Sequence, residues 1–163
     1  MNPTRRHFLK SCAATAATMA VVHAEEAKTH PPGTFVDIHT HITQAWGQKE
    51  PLSVDGLLSW MDTQDIAQAV VLPLVSPESW DHPVTTEYVL EETAQHRDRL
   101  IPFCAIDPRT INLGDAARRQ LLEKYRDAGA KGLGEHKTGV AIDDPRNLAL
   151  FADCAEAGLP VLF

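Results

Sequence analysis

The chain has 163 residues, 44% of them hydrophobic and 23% charged, and a formal charge of −7 at pH 7. That composition suits one globular domain, and the lack of a basic stripe excludes nucleic acid or an anionic membrane as an expected partner, because both are recognised through clustered Lys and Arg.

In chain order, the first feature is Arg5-Arg6 ahead of Phe8-Leu9-Lys10, followed by an alanine-rich, mildly apolar stretch over 13–22. This resembles a twin-arginine export signal. The stretch is too short to span a bilayer, and Val22-His23-Ala24 fits the small-residue cleavage pattern. Cleavage is expected after Ala24. Cys12 precedes the apolar stretch instead of closing it, which argues against acylation there. Loss of 1–24 removes Arg5, Arg6 and Lys10 and no acid, so the charge of −7 becomes −10. The expectations that follow are an export signal over 1–24, an extended linker over 25–33 ending in Pro31-Pro32-Gly33, and a folded domain over 34–163 in the periplasm or outside the cell. The export machinery is then a partner, and the membrane is not one after cleavage.

Phe35-Val36-Asp37-Ile38-His39-Thr40-His41 reads as a buried strand, 35–39, ending in two histidines one residue apart. Side chains alternate along a strand, so Asp37, His39 and His41 share a face while Val36 and Ile38 take the other. Two neutral imidazoles on one rigid strand end can converge on a metal ion. The competing reading is a pair of surface histidines, against which the apolar lead-in argues.

Further strand-like runs appear at 69–74, 100–106, 130–136 and 159–163. Helical patterns separate them. The first, 54–63, carries Leu57, Leu58 and Met61; the second, 86–97, mixes Tyr88, Val89 and Glu92. The third, 115–128, spaces Ala116, Leu121, Leu122 and Tyr125, with Gly129 as its C-terminal cap. Asp144-Pro145 opens the fourth, which shows an apolar face of Leu148, Phe151, Ala152 and Ala155 and stops at Gly158. Strand then helix, recurring about every 30 residues, predicts parallel strands with crossover helices. The first turn holds His-Thr-His and no Gly-x-Gly-x-x-Gly, which favours a metal site at a barrel mouth over a dinucleotide site. Cys104 and Cys154 lie in apolar contexts and read as core residues, with a disulfide between them left open.

Loops after the strands face that same mouth, which makes Trp46, Trp80, Asp81 and His82 candidate walls of a substrate pocket. Trp and His also cover cores with one edge in water, so a structural role competes. Arg109, in Asp107-Pro108-Arg109, could clamp a substrate carboxylate or be a solvated surface group. In 132–139, alternation places Leu133, Glu135 and Lys137 on one face and His136 on the other. A solvated Lys–Glu pair with His136 packed under a helix is the alternative there.

Asp37 to His41, the run 57–74 and Gly129 to Thr138 together resemble the amidohydrolase superfamily, in particular its amidohydrolase-related, TIM-barrel metal-dependent hydrolases, over 34–163. The resemblance implies one or two divalent metal ions, zinc the expected one. It also implies His39 and His41 as ligands with Glu135 a further ligand, and Lys137 as either a substrate contact or, carbamylated, a ligand. Substrate contacts are expected from Lys137, Arg109, Trp80 and His82. The run 159–163 is similar to the family's fifth strand, which ordinarily continues into a metal-binding histidine. The expected fold is therefore α/β, a partial (βα)₈ barrel of about four and a half units out of the roughly 250 residues a complete barrel takes. On that expectation the general base, a carboxylate, lies beyond Phe163 and this stretch alone is inactive. The implied activity is hydrolysis of a small molecule by metal-activated water. Decarboxylation or hydration within the same branch is one alternative. A non-catalytic half-barrel binding or assembly module is another, with an open strand edge inviting a homo-oligomer.

Overall fold

The computed structural model describes residues 33, 35–45, 50–110 and 114–163, all within the unit Pro32–Phe163. The expected export signal, most of the linker and Trp46 lie outside the described residues. Strand β1, Phe35–Thr40, is followed by helix α1, Val54–Thr63, and strand β2, Ile66–Val71. Ser53 starts α1 because its extended backbone leaves Oγ free to accept from the Gly56 amide at 3.1 Å. Ser53→Ala is expected to cost about 1 kcal/mol, read as a lowered urea midpoint at unchanged slope.

A 3₁₀ turn, Pro77–Ser79, precedes helix α2, Thr86–Glu92, and the short strand β3, Leu100–Pro102. Helix α3, Gly114–Asp127, and helix α4, Pro145–Ala157, complete the regular elements. Asp144 caps α4 by accepting from the Arg146 amide at 2.9 Å, and Pro145 sits where no amide is needed. Gly158 ends α4 in the left-handed conformation, φ 71°, which an L side chain rarely adopts. No helix among the described residues is long and apolar enough to cross a membrane.

Strands β1, β2 and β3 lie in that order, all parallel. Parallel bridges from Cys104 to Leu133 and from Leu133 to Val161 extend the series to 130–136 and then 159–163. The result is the expected α/β arrangement, five parallel extended segments of a partial TIM barrel with helices between them. Two apolar layers hold it together. Val54, Leu57 and Met61 of α1 pack with Ala69, Val71 and Leu100, while Leu122, Tyr125, Leu150 and Cys154 of α3 and α4 pack with Cys104, Leu133 and Leu159. Each fully buried Leu or Val in these layers contributes about 1.5–3 kcal/mol. On the other side of β2, Val70 and Leu72 meet Phe103.

The structure differs from the sequence expectations in several places. β1 is not buried: Phe35, Val36 and Ile38 are 62%, 53% and 60% exposed. Among the described residues only β2 pairs with it, so its other edge is open. The second strand starts at Ile66 and ends at Val71, and Leu74 instead makes an antiparallel bridge to Val84. The third is three residues long, and 130–136 and 159–163 join by single bridges. α2 stops at Glu92, and at its C-cap Thr93 donates its hydroxyl to the Val89 carbonyl at 2.7 Å. α4 has the expected period with a rotated phase, burying Asn147, Leu150, Asp153 and Cys154 while Leu148 is exposed. Polar residues are tolerated on its buried side because each is satisfied: Asp153 by Arg118 Nε at 2.6 Å, and Asn147 by His136 and the Ala141 carbonyl. Cys104 and Cys154 are buried free thiols, each pushed up to about 12 by burial, as core residues would be.

Candidate metal centre

The end of β1 is tied to β2 by three hydrogen bonds. The Leu72 amide donates to the Thr40 carbonyl at 2.9 Å, and Thr40 Oγ1 donates to the Val70 carbonyl at 2.7 Å. The third is the Nδ1 of His41, 2.9 Å from the Leu72 carbonyl. A carbonyl only accepts, so His41 Nδ1 carries the proton and Nε2 keeps its lone pair. Burial is the chief influence on His41 and pulls its pKa below the ordinary 6.5, against the opposing pull of the Leu72 carbonyl and Glu135. The ring is thereby held neutral near pH 7, the form that binds a metal.

His41 Nε2 points at Glu135 Oε2, 3.4 Å away, and His39 Nε2 lies 3.3 Å from the same oxygen. The two rings meet edge to face with centroids 5.3 Å apart. One ligand atom from each of His39, His41 and Glu135 falls within 4.8 Å of the others. Donors about 2.0–2.1 Å from a tetrahedral ion stand about 3.3–3.4 Å apart, so both nitrogen–carboxylate spacings fit a shared divalent cation. Two neutral nitrogens and one carboxylate are also a donor set suited to zinc and its neighbours. The Asp37 carboxylate accepts from the His39 amide at 2.9 Å, which steadies the backbone of the first ligand.

Glu135 reaches this cluster by a route different from plain alternation. Leu133 is fully buried among the helices, and His136 packs on the same side, with Nε2 2.9 Å from Asn147 Oδ1 and its ring against Phe151 and Phe163. Glu135 faces the histidines instead. The period of two thus does not persist from Leu133 to His136. The expectation that Leu133 and Glu135 share a face is therefore corrected, and His136 lies under a helix, the placement given to it in the alternative reading of this segment.

The four expected substrate contacts fare differently. Lys137 is exposed, and its charge acts on His41. Trp80 is 76% exposed after the 3₁₀ turn, and His82 is partly exposed with Nδ1 3.2 Å from Asp81 Oδ2. Arg109 is in neither of the situations considered for it. Nη1 and Nη2 fork onto Glu78 at 2.9 and 2.7 Å, while Nε and Nη2 reach Asp107 at 3.0 and 2.6 Å. Its guanidinium is occupied by two carboxylates of the chain itself. Sequence reasoning did not find Glu78 or the Leu72 carbonyl. The Asp107–Arg109 spacing could have been read as a local pair, but a partner 31 residues away leaves no trace in the pattern.

Arg109 holds the Glu78 carboxyl down to about 2. A carboxylate whose folded pKa is depressed adds stability above its ordinary pKa, here 4.5, and that stability is lost as pH falls through the folded value. The Glu78–Arg109 pair is thus expected to persist at pH 4 and to open toward pH 2. A carbon-detected titration of Glu78 with its midpoint near the ordinary value would contradict this contact.

No protein-family model matches the sequence, and no curated protein matches it. Solved structures do share the fold. A probable 2-pyrone-4,6-dicarboxylic acid hydrolase from Acinetobacter baumannii, with citric acid bound, is 15% identical with a TM-score of 0.55, over 78% of this chain and 48% of that one. An uncharacterized TIM-barrel protein from Bordetella bronchiseptica is 19% identical with a TM-score of 0.56, over 78% of this chain and 53% of that one. A 2,6-dihydroxybenzoate decarboxylase from Rhizobium is 21% identical with a TM-score of 0.53, over 79% of this chain and 49% of that one. The chain spans about half the length of these structures. At such identities the likeness establishes the fold, an α/β partial TIM barrel.

Proposed function

We propose that His39, His41 and Glu135 form a divalent-metal centre of the amidohydrolase kind, serving hydrolysis of a small-molecule substrate. The observation that carries this reading is the convergence of both imidazole Nε2 atoms on one Glu135 oxygen, with His41 Nδ1 already engaged by a backbone carbonyl. A divalent ion there would polarise the scissile group and bring the pKa of water toward neutrality. Zinc is the ion proposed, on the donor set. The residues of the chain do the rest: His41 is locked in the ligating tautomer, Glu135 supplies negative charge, and exposed Lys137 meets an anionic substrate group. Trp80 and His82, both in the loop after β2, are the further substrate contacts of this proposal. Export through the twin-arginine route, from Arg5-Arg6 and the stretch after them, belongs to the same proposal.

A second reading, non-oxidative decarboxylation of an aromatic acid, draws on the dihydroxybenzoate and 5-carboxyvanillate decarboxylases among the structures of like fold. Zinc titration of the chain decides the metal reading, with near-stoichiometric binding expected and none overturning it. Aromatic-acid and lactone or amide analogues, titrated in parallel into the cobalt(II)-loaded chain and read by its visible spectrum, separate the two chemistries, because binding needs no general base.

A further inference from the structure

The segment that delivers Glu135 is a loop with almost no ladder of its own, so something must hold it. On one side of Glu135, the His136 amide donates to the Leu162 carbonyl at 2.9 Å. Beyond it, Ser76 Oγ donates to the Lys137 carbonyl, and Gly139 lies close against the Glu78 carboxylate. A Cβ at Gly139 would overlap Glu78 Oε1, so only glycine lets the two meet this closely. Glu78 is fixed by the fork of Arg109, and Arg109 by Asp107, which is 2% exposed and also accepts from the Arg109 amide at 2.8 Å. One guanidinium thus joins the loop after β2, the loop after β3 and the loop carrying Glu135.

Resting on the metal reading above, we infer that Arg109 and Glu78 are positioning residues: they set the backbone over 137–139 and through it aim the Glu135 carboxylate at His39 and His41. Beyond the His136–Leu162 bond, the loop is met at Lys137 by Ser76 and at Gly139 by Glu78, and the segment 76–78 is held to the β3 loop by the bidentate Glu78–Arg109 contact. A lysine at 109 supplies the charge without the fork, so it cannot reproduce the bidentate contacts to Glu78 and Asp107. A role limited to stability would lower the unfolding midpoint and leave metal coordination alone.

The test compares the full chain with Arg109→Lys, Glu78→Gln and a control, Asp153→Asn, which weakens the buried α3–α4 ion pair, whose partners are Arg118 and Arg119. Zinc affinity by chelator competition, the cobalt(II) visible spectrum and urea midpoints are measured on each. Arg109→Lys and Glu78→Gln are expected to weaken zinc binding about tenfold, the low end for residues that orient ligands, and to alter the cobalt spectrum. Asp153→Asn is expected to move only the urea midpoint. Wild-type zinc affinity and cobalt spectrum in both loop variants would overturn the inference. If the unaltered chain binds neither metal, the metal reading fails, and the His39 and His41 ring resonances of the metal-free chain decide this one. They should shift in the two loop variants and not in Asp153→Asn, and unshifted rings would overturn it.

Discussion

His41→Ala is expected to weaken zinc binding by more than about a hundredfold, beyond the upper end of what loss of a ligand-orienting residue costs. Two things disappear together in this variant. One is the Nε2 donor 3.4 Å from Glu135, and the other is the Nδ1 bond that fixes the ring on the Leu72 carbonyl. His39, whose side chain is more exposed, is left with Glu135 as a two-donor site. Glu135→Gln keeps the shape of the side chain but removes the charge that offsets the cation, so it is expected to weaken zinc binding in the same direction. Competition against a chromogenic chelator reads both. Affinity within threefold of the unaltered chain in His41→Ala would show that the histidine pair is not the centre.

For stability, the largest expected effect is at Leu133. Its side chain is fully buried between Cys104 and Val161, in a cluster with Leu122 and Leu150. Its backbone is engaged as well, donating to the Pro160 carbonyl and accepting from the Leu162 amide, both at 2.8 Å. Truncation to alanine removes three carbons from a place where two neighbouring segments and two helices meet, so the site cannot collapse easily. The expected loss is about 2–5 kcal/mol, against a total stability of about 5–15 kcal/mol for a typical domain. Leu133→Met keeps the volume and is expected to cost less than about 1.5 kcal/mol. Urea unfolding of both variants checks this. A loss under about 1 kcal/mol for Leu133→Ala would mean that the last two segments pack independently of α3 and α4.

The sequence was most legible where the cause is local. Ser53, Asp144-Pro145 and Gly158 mark helix ends because each acts on amides or carbonyls within a few residues of itself. The His-x-His spacing carries its meaning within one strand, and the structure does bring His39 and His41 together. It was least legible where burial depends on distant partners. Phe35, Val36 and Ile38 look like core residues but are exposed, because among the described residues the other edge of β1 is open. Leu148 looks like the buried face of α4, yet Asn147 and Asp153 hold that place, since His136, Arg118 and Arg119 satisfy them.

From the order of residues alone came the strand–helix rhythm, the parallel α/β architecture and the pair of imidazoles at the first strand end. Short-range forces and the periods of 2.0 and 3.6 determine these, and both operate inside a single element. Tertiary structure decided how Glu135, expected at the pair only from the family resemblance, reaches it, and which guanidinium is occupied. Glu135 lies 96 residues from His39, and Glu78 lies 31 from Arg109. Contacts at such separations depend on how the loops fold over the sheet, and no periodicity in the chain encodes them.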